Sequence, residues 1–480
     1  MAFLMAAAAC GQNPLGYSVA TPRPISPAEG TTNPSAQATQ RQNPFLGSVP
    51  AGNSGTTLEL SLQGAIERGL RYNLGLVESN HASADVRADR LRALSALLPQ
   101  LSANARQAFE DISFKEIGIK LPPIPGFALP PTSGGFGYQD ARVGLTQSIY
   151  NRQLRDQYHA QKNAEEASVF TIKDSRDVVV FAVGTAYLQV IASAARVETA
   201  RAQLASAREL DRQTADRVTA EVSPEIDSLR AQVEGQSAEQ RLTNAANQLE
   251  KDKLTLARIT GLPIDQQFVL TDRLAYHSIA GISFEAATAE ALNSRADLKS
   301  AAAGVRAAES TLRAQKAQRL PVISVSANYG GGGTSISAFS PVYSVSGNVS
   351  VPIYTGGRIH ADIEQAQSNL ARKEAEYADL KGRIAYDVKI AWLDMSASDS
   401  SVKVAGHNKE LASRALAQSL DRYANGVTNY LEVVQAQEAV AAAGDNYIEG
   451  LYSLNLAMIS FARAVGGADR KLTQLLGGIP

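Results

Sequence analysis

The 480-residue chain has a single cysteine, Cys10. That excludes an intrachain disulfide framework, a CxxC redox pair and thiolate zinc sites, and leaves stability to packing and assembly. Aromatic residues make up only 6% of the chain, few for a large globular core. Abundant alanine among Glu, Gln, Arg and Lys instead suits long helices packed closely together. Neither sign of charge is in excess, with 46 basic against 47 acidic residues, so the charge balance points away from nucleic acid and other polyanionic partners. Proline is absent from 155–220 and again from 358–424. Each stretch, as a helix rising ~1.5 Å per residue, would be a rod of about 100 Å, which no compact domain contains.

Catalytic chemistry is lacking too. His81, His159, His277, His360 and His407 are scattered, without a partner at metal-ligand spacing. Gly330 to Gly333 followed by Thr334 and Ser335 has the glycines of a phosphate loop but not its lysine. No GxSxG motif is present. The sequence calls for no cofactor and no metal, and gives no case for an enzyme.

What is there begins with "MAFLMAAAAC", an apolar run of small residues like the end of a secretory signal. Residues 1–10 are expected to be a signal remnant. Ala-Ala-Ala-Cys followed by Gly also resembles a lipoprotein cleavage site, with Cys10 as the acylated residue; the alternative is a plain alanine tract. From 11 to 56 seven prolines stand among Gly, Ser, Thr, Asn and Gln, the composition of a disordered arm.

Beyond the arm the sequence reads twice. Leu62, Ala65, Gly69, Leu70, Leu76, Leu98 and Pro99 match Phe284, Ala287, Ala291, Leu292, Leu298, Leu320 and Pro321 at an offset of 222. Ile149-Tyr150 matches Ile353-Tyr354 at 204, and from Ala186-Tyr187 against Ala391-Trp392 to "ARITG" against "ARAVG" the offset is 205. A unit of about 200 residues is too long for a solenoid repeat. Two structural repeats, 57–270 and 271–467, are therefore expected, with a tail at 468–480 and a longer loop in the first repeat at 111–135.

Each repeat is predicted to run helix, strand, strand, very long helix, tip, helix. The first helix, 58–97, carries Leu62, Ala65, Ile66, Gly69, Leu70, Asn73 and Leu74 as an amphipathic stripe and stops before Pro99. Strands are expected at about 100–110, 136–150, 321–330 and 342–354. In "SVSGNVSVPI" and its counterparts apolar residues alternate with small polar ones over about ten positions, which fits a tilted barrel strand with lipid outside and water inside. A soluble antiparallel sheet shows the same alternation. In the second rod Ile363, Ala366, Leu370, Tyr377, Leu380, Ile384, Val388, Ala391 and Met395 form a coiled-coil seam with a stutter. The apolar run 178–195 is long enough for a membrane helix, yet Gln189 lies within it and its counterpart, 382–400, is openly amphipathic. We read it as a buried part of the rod.

At this point the chain resembles the TolC family of outer-membrane efflux and secretion channels, over 58–467. The resemblance is carried by the two-fold repetition, "LSLQGAIERGLRYN", "VSVPIYTGGRIHADIEQAQ", "RYANGVTNYLEVVQAQ" and "ARAVGG". It implies a mainly helical fold with β-structure. Each protomer of a homotrimer gives four strands to one twelve-stranded barrel in outer-membrane lipid, continued by a tunnel of antiparallel coiled-coil helices through the periplasm. Four strands cannot close a barrel, and unpaired edges are prohibitive in lipid, so the membrane reading itself requires an oligomer. Pro352, Gly356 and Gly357 would then mark the passage from barrel to tunnel.

The resemblance also implies a gate at the helix tips. Asn425-Gly426 suits a helix end that needs a left-handed residue, and Ser223-Pro224 suits an N-cap followed by a first helical residue. Glu432 stands at one position of the family's acidic ring, while Gln435 replaces the second. Tyr423 matches a tyrosine of tip closure, and Thr428 occupies the place of a basic partner. Three copies of Glu432 would favour cations, although Glu432 and Asp227 also suit first turns of helices. The function implied is a passive exit duct of a tripartite efflux or type I secretion system, energised by an inner-membrane pump through a periplasmic adaptor. The rival is a periplasmic coiled-coil spacer with a small β domain and no pore.

Overall fold

The computed structural model describes residues 43–50, 52, 56–113, 132–279 and 283–468. Cys10 with the expected signal remnant, most of the arm, the middle of the first hairpin loop and all of the tail after 468 lie outside the described residues.

The arm does not remain irregular as far as 56. Pro44–Leu46 forms a short 3-10 helix capped by Asn43, and Phe45 and Leu46 pack against the core. Val49 N–H donates to Tyr72 O at 2.8 Å and Leu74 N–H to Gly47 O at 3.0 Å. Proline-rich composition hid an apolar pair that has a partner surface to bury against.

That surface is made where the expected first helix breaks. Strand β1, Leu58–Leu60, precedes α1, Leu62–Tyr72, and α2 is Leu74–Ser95. Between the helices Asn73 is extended and fully buried. Its side chain accepts from Gly75 N–H at 3.0 Å and donates to Phe45 O at 2.8 Å. A Cβ on Gly75 would lie 2.4 Å from the Phe45 ring, so this turn admits only glycine without displacement. The second repeat breaks at the matching place, Arg295, between α5, Phe284–Ser294, and α6, Ala296–Ala317.

A two-stranded sheet also escaped the sequence reading. β1 pairs in parallel with β4, Phe268–Leu270. Asp272 just beyond it accepts from the Tyr187 hydroxyl at 2.6 Å and from Leu62 N–H at 2.8 Å, so one half-buried carboxylate ties the small sheet to the long helix.

The four expected strands form one antiparallel sheet. They are β2, Gln100–Glu110, β3, Phe136–Tyr150, β5, Val322–Gly333, and β6, Ser340–Ser350, in the order β2-β3-β5-β6. The last ends at Ser350 rather than 354, since Pro352 cannot donate to a ladder. Register divides the sheet into two faces. Leu101, Leu145, Ala327 and Val345 stand side by side on one, with Ala103, Val143, Tyr329 and Tyr343 next to them. The other carries Ser102, Asn328, Ser326, Ser344 and Ser346, with Ser326–Ser346 and Asn328–Ser344 side-chain hydrogen bonds of 2.8 Å. Val345 is 71% exposed and Leu101 73%, so the apolar face is covered by nothing within the protomer.

The rods are α3, Arg152–Thr219, and α7, Arg358–Ala424, of 68 and 67 residues. The shorter helices α4, Glu225–Thr260, and α8, Tyr430–Val465, return along them. The apolar run in α3 is buried: Val179, Val180, Val183, Tyr187 and Val190 lie at 0–1% exposure against α1, α4 and α8 residues. Each such side chain contributes roughly 1.5–3 kcal/mol. Along α7, Ile384, Val388, Ala391 and Met395 make the expected seam.

Candidate functional site at the helix tips

Passage from sheet to rod differs between the repeats. After β3 a single residue, Asn151, caps α3 by accepting from Leu154 N–H at 3.0 Å. After β6 the chain takes 351–357 to do the same. Gly356 and Gly357 both adopt left-handed backbone, φ +60° and +86°, where any other residue is strained. Gly357 is the N-cap of α7, and Ile353, just after Pro352, is 97% exposed.

At the other end of the rods the two tips are built differently. Between α3 and α4 the left-handed position is taken by Glu221, φ +58°, and Val222 N–H closes the helix on Arg217 O at 2.9 Å. Pro224 itself, not Ser223, is the N-cap of α4, with no side-chain cap; Glu225 and Asp227 in the first turn complement the helix dipole. Asp227 pairs with Arg230 at 3.6 Å. Between α7 and α8 Gly426 takes φ +70°, and Val427 N–H donates to Arg422 O at 2.8 Å. Asn429 caps α8 by accepting from Glu432 N–H.

Glu432 is tied into its own turn. Its carboxylate accepts from the Thr428 hydroxyl and from the Ser419 hydroxyl at 3.4 Å, and lies 3.7 Å from Arg422 Nε. Thr428 thus partners an acid of its own turn. Gln435 is exposed on α8 and Asp227 lies on the other tip, so the expected site residues are not gathered into one cluster.

The contact that joins the two tips was only half legible. Tyr423 from α7 and Tyr430 from α8 stack edge to face, centroids 5.9 Å apart at 68°. Arg217 from the last turn of α3 places its guanidinium 4.6 Å from the Tyr423 ring centre and donates from Nη1 to Tyr423 O at 3.1 Å. Leu210, Ala231 and Val433 close the cluster, drawing on all four helices. Burial, with Glu234, Tyr423, Asp211 and Asp227 nearby, pushes the Tyr430 phenol up to about 12. The Tyr423 hydroxyl is buried with no hydrogen-bond partner. Arg217 could have been found from the repeat, because the 205 offset sets it against Arg422; Tyr430 could not, because Glu225 occupies its place in the first repeat.

Among the described residues no three His, Cys, Asp or Glu side chains are grouped to hold a metal ion. Two unpaired sheet edges and an apolar face with exposed Leu101 and Val345 are left uncovered by the described residues of the chain. The sequence model of the family "Outer membrane efflux protein" matches residues 65–262 and 287–467, most of the described chain. The chain belongs to the outer membrane efflux protein family. As a member it is an outer-membrane protein.

Curated relatives agree. Outer membrane protein OprJ of Pseudomonas aeruginosa is 28% identical over 190 residues, covering 37% of this chain and 38% of the relative. The pyoverdine export outer membrane protein OpmQ of the same organism is 25% identical over 294 residues, covering 59% and 60%. The chain thus spans about 38% to 60% of these two relatives' length. The fold matches that of solved channels more fully. The Campylobacter jejuni CmeC outer membrane channel superposes with a TM-score of 0.74 at 15% identity, covering 96% of this efflux protein and 98% of that chain. For VceC of Vibrio cholerae the values are 0.71, 18%, 85% and 96%.

Proposed function

We propose that this efflux protein is the passive outer-membrane exit duct of a tripartite efflux or type I secretion system. Three protomers, each a tandem duplication, close one twelve-stranded barrel, and their helices continue it as a periplasmic tunnel. One observation carries the reading: the sheet has an apolar face with no cover, a hydroxyl-rich face opposite it, and an unpaired strand at each edge. Backbone groups on such edges cannot stay unpaired in lipid. The apolar face meets lipid and the polar face lines water.

The tips are the gate. Arg217, Tyr423 and Tyr430 hold the two helical hairpins of one protomer together, while Glu432 with Thr428 and Arg422 keeps the α7–α8 turn closed. Energy comes from an inner-membrane pump, coupled through a periplasmic adaptor that engages the tips, so the duct needs no nucleotide and no catalytic residue. The efflux and export named for its relatives support this role.

Native mass in mild detergent tests the reading. Extraction from outer-membrane fractions should give a particle of three times the 50.9 kDa chain, absent from the soluble fraction. A soluble monomer or dimer would return the sheet to an ordinary domain and the protein to a periplasmic spacer.

A further inference from the structure

Charge on the polar face of the sheet is confined to the half far from the helices. On β2 Arg106 and Glu110 pair at 2.8 Å. On β3 Asp140 accepts from Arg142 Nε at 2.7 Å and from the Tyr138 hydroxyl at 3.1 Å. Register sets Arg106 directly opposite Asp140, so the four charges make one patch, two of each sign. Nearer the helices the same face carries Ser102, Thr146, Ser326 and Ser346, and no charge.

The neighbouring strand opposite this patch is glycine. Gly332 is the register partner of Asp140, and Gly330 of Arg142. A Cβ on Gly332 would stand 2.9 Å from the Tyr138 hydroxyl and 3.2 Å from Asp140 Oδ2; one on Gly330 would lie 2.0 Å from Ala141 O. Bare backbone lets Tyr138 and Asp140 lie along the wall, over the space that side chains would fill.

We infer that Arg106, Glu110, Asp140 and Arg142, with Asp140 lying over the bare backbone of Gly332, are the charge-setting girdle of the duct's outer half and make the exit indifferent to the sign of its cargo's charge. The inference rests on the barrel reading, in which this face lines the water. In a narrow passage walled by low-dielectric material an unpaired ring of charge selects strongly; pairing cancels that field where the mouth would otherwise concentrate it.

The test is local and does not depend on opening the tips. Asn104→Cys, opposite Arg142 on the polar face, is placed in the full chain. Its modification by a cationic and by an anionic methanethiosulfonate is timed in detergent-purified trimers, against a parent whose only cysteine is Cys10. Corrected for intrinsic reactivity, the two rates should agree within about twofold. Asp140→Asn should favour the anionic reagent by at least about threefold, Arg142→Gln the cationic one as much, and the double substitution should restore parity. Trimers in which both single substitutions leave the ratio unmoved would overturn the girdle. A parent chain that forms no trimer would defeat the barrel reading instead, and the inference with it.

Discussion

Arg217 meets Tyr423 twice, through the face of the ring and through the backbone carbonyl, while the hydroxyl of the same tyrosine is buried with no partner. The ring is therefore the group that joins the hairpins. A cation over an aromatic face contributes about 0.5–2 kcal/mol and an edge-to-face pair about 0.5–1.5 kcal/mol. An unpartnered hydroxyl costs about 1–3 kcal/mol. Tyr423→Ala should thus weaken closure by about 3 kcal/mol and lengthen open events in reconstituted channels. Tyr423→Phe should close at least as firmly as the wild type, since it keeps the ring contacts and removes only the unpartnered hydroxyl. If the phenylalanine variant opened as readily as the alanine one, the hydroxyl would be the latch and the ring incidental.

Among the elements, the strands were legible because apolar and small polar residues alternate along each of them, as the two faces of a sheet require. Leu101, Val143, Ala327 and Val345 share a face in the pairing register just as they share parity in the sequence. The rods were legible from missing proline and a seam of small and medium residues. The break at Asn73 was not, because Leu62 to Leu76 keep a helical stripe across it and the cause lies 28 residues away, at Phe45. Of the tip, Tyr423 and Glu432 were visible through the resemblance, while the partners of Glu432, Thr428, Ser419 and Arg422, were not, because they depend on how the turn folds. Face identity in the sheet makes a direct prediction. Val345→Arg puts a charge on the lipid side at a cost of roughly 2–4 kcal/mol per protomer near the midplane, and should abolish heat-resistant trimer in outer-membrane fractions. Ser346→Arg, one residue on and facing the other way, should leave it. Equal loss from both would mean that the two faces are not lipid and water.

For the whole molecule the decisive geometry is at the sheet's edges. All neighbouring strands are antiparallel, so in the order β2-β3-β5-β6 the first and last strands also run in opposite directions. The β6 edge of one protomer can therefore continue the ladder onto β2 of the next without breaking the alternation, and such a head-to-tail contact either closes into a ring or grows without limit. Inside one chain the two edges are three strand spacings apart, roughly 14 Å at ~4.8 Å each, beyond the reach of a disulfide. Ala103→Cys combined in turn with Tyr343→Cys, Val345→Cys, Gly347→Cys or Val349→Cys, all on the apolar face, should cross-link neighbouring protomers at one register. The same Ala103→Cys with Ser344→Cys, Ser346→Cys or Asn348→Cys, on the polar face, should not. On a denaturing gel the ladder should stop at three chains, because a closed ring has no free edge left. Bands beyond three would show an open or larger assembly, and the absence of any cross-linked band at every register would show that β2 and β6 never meet.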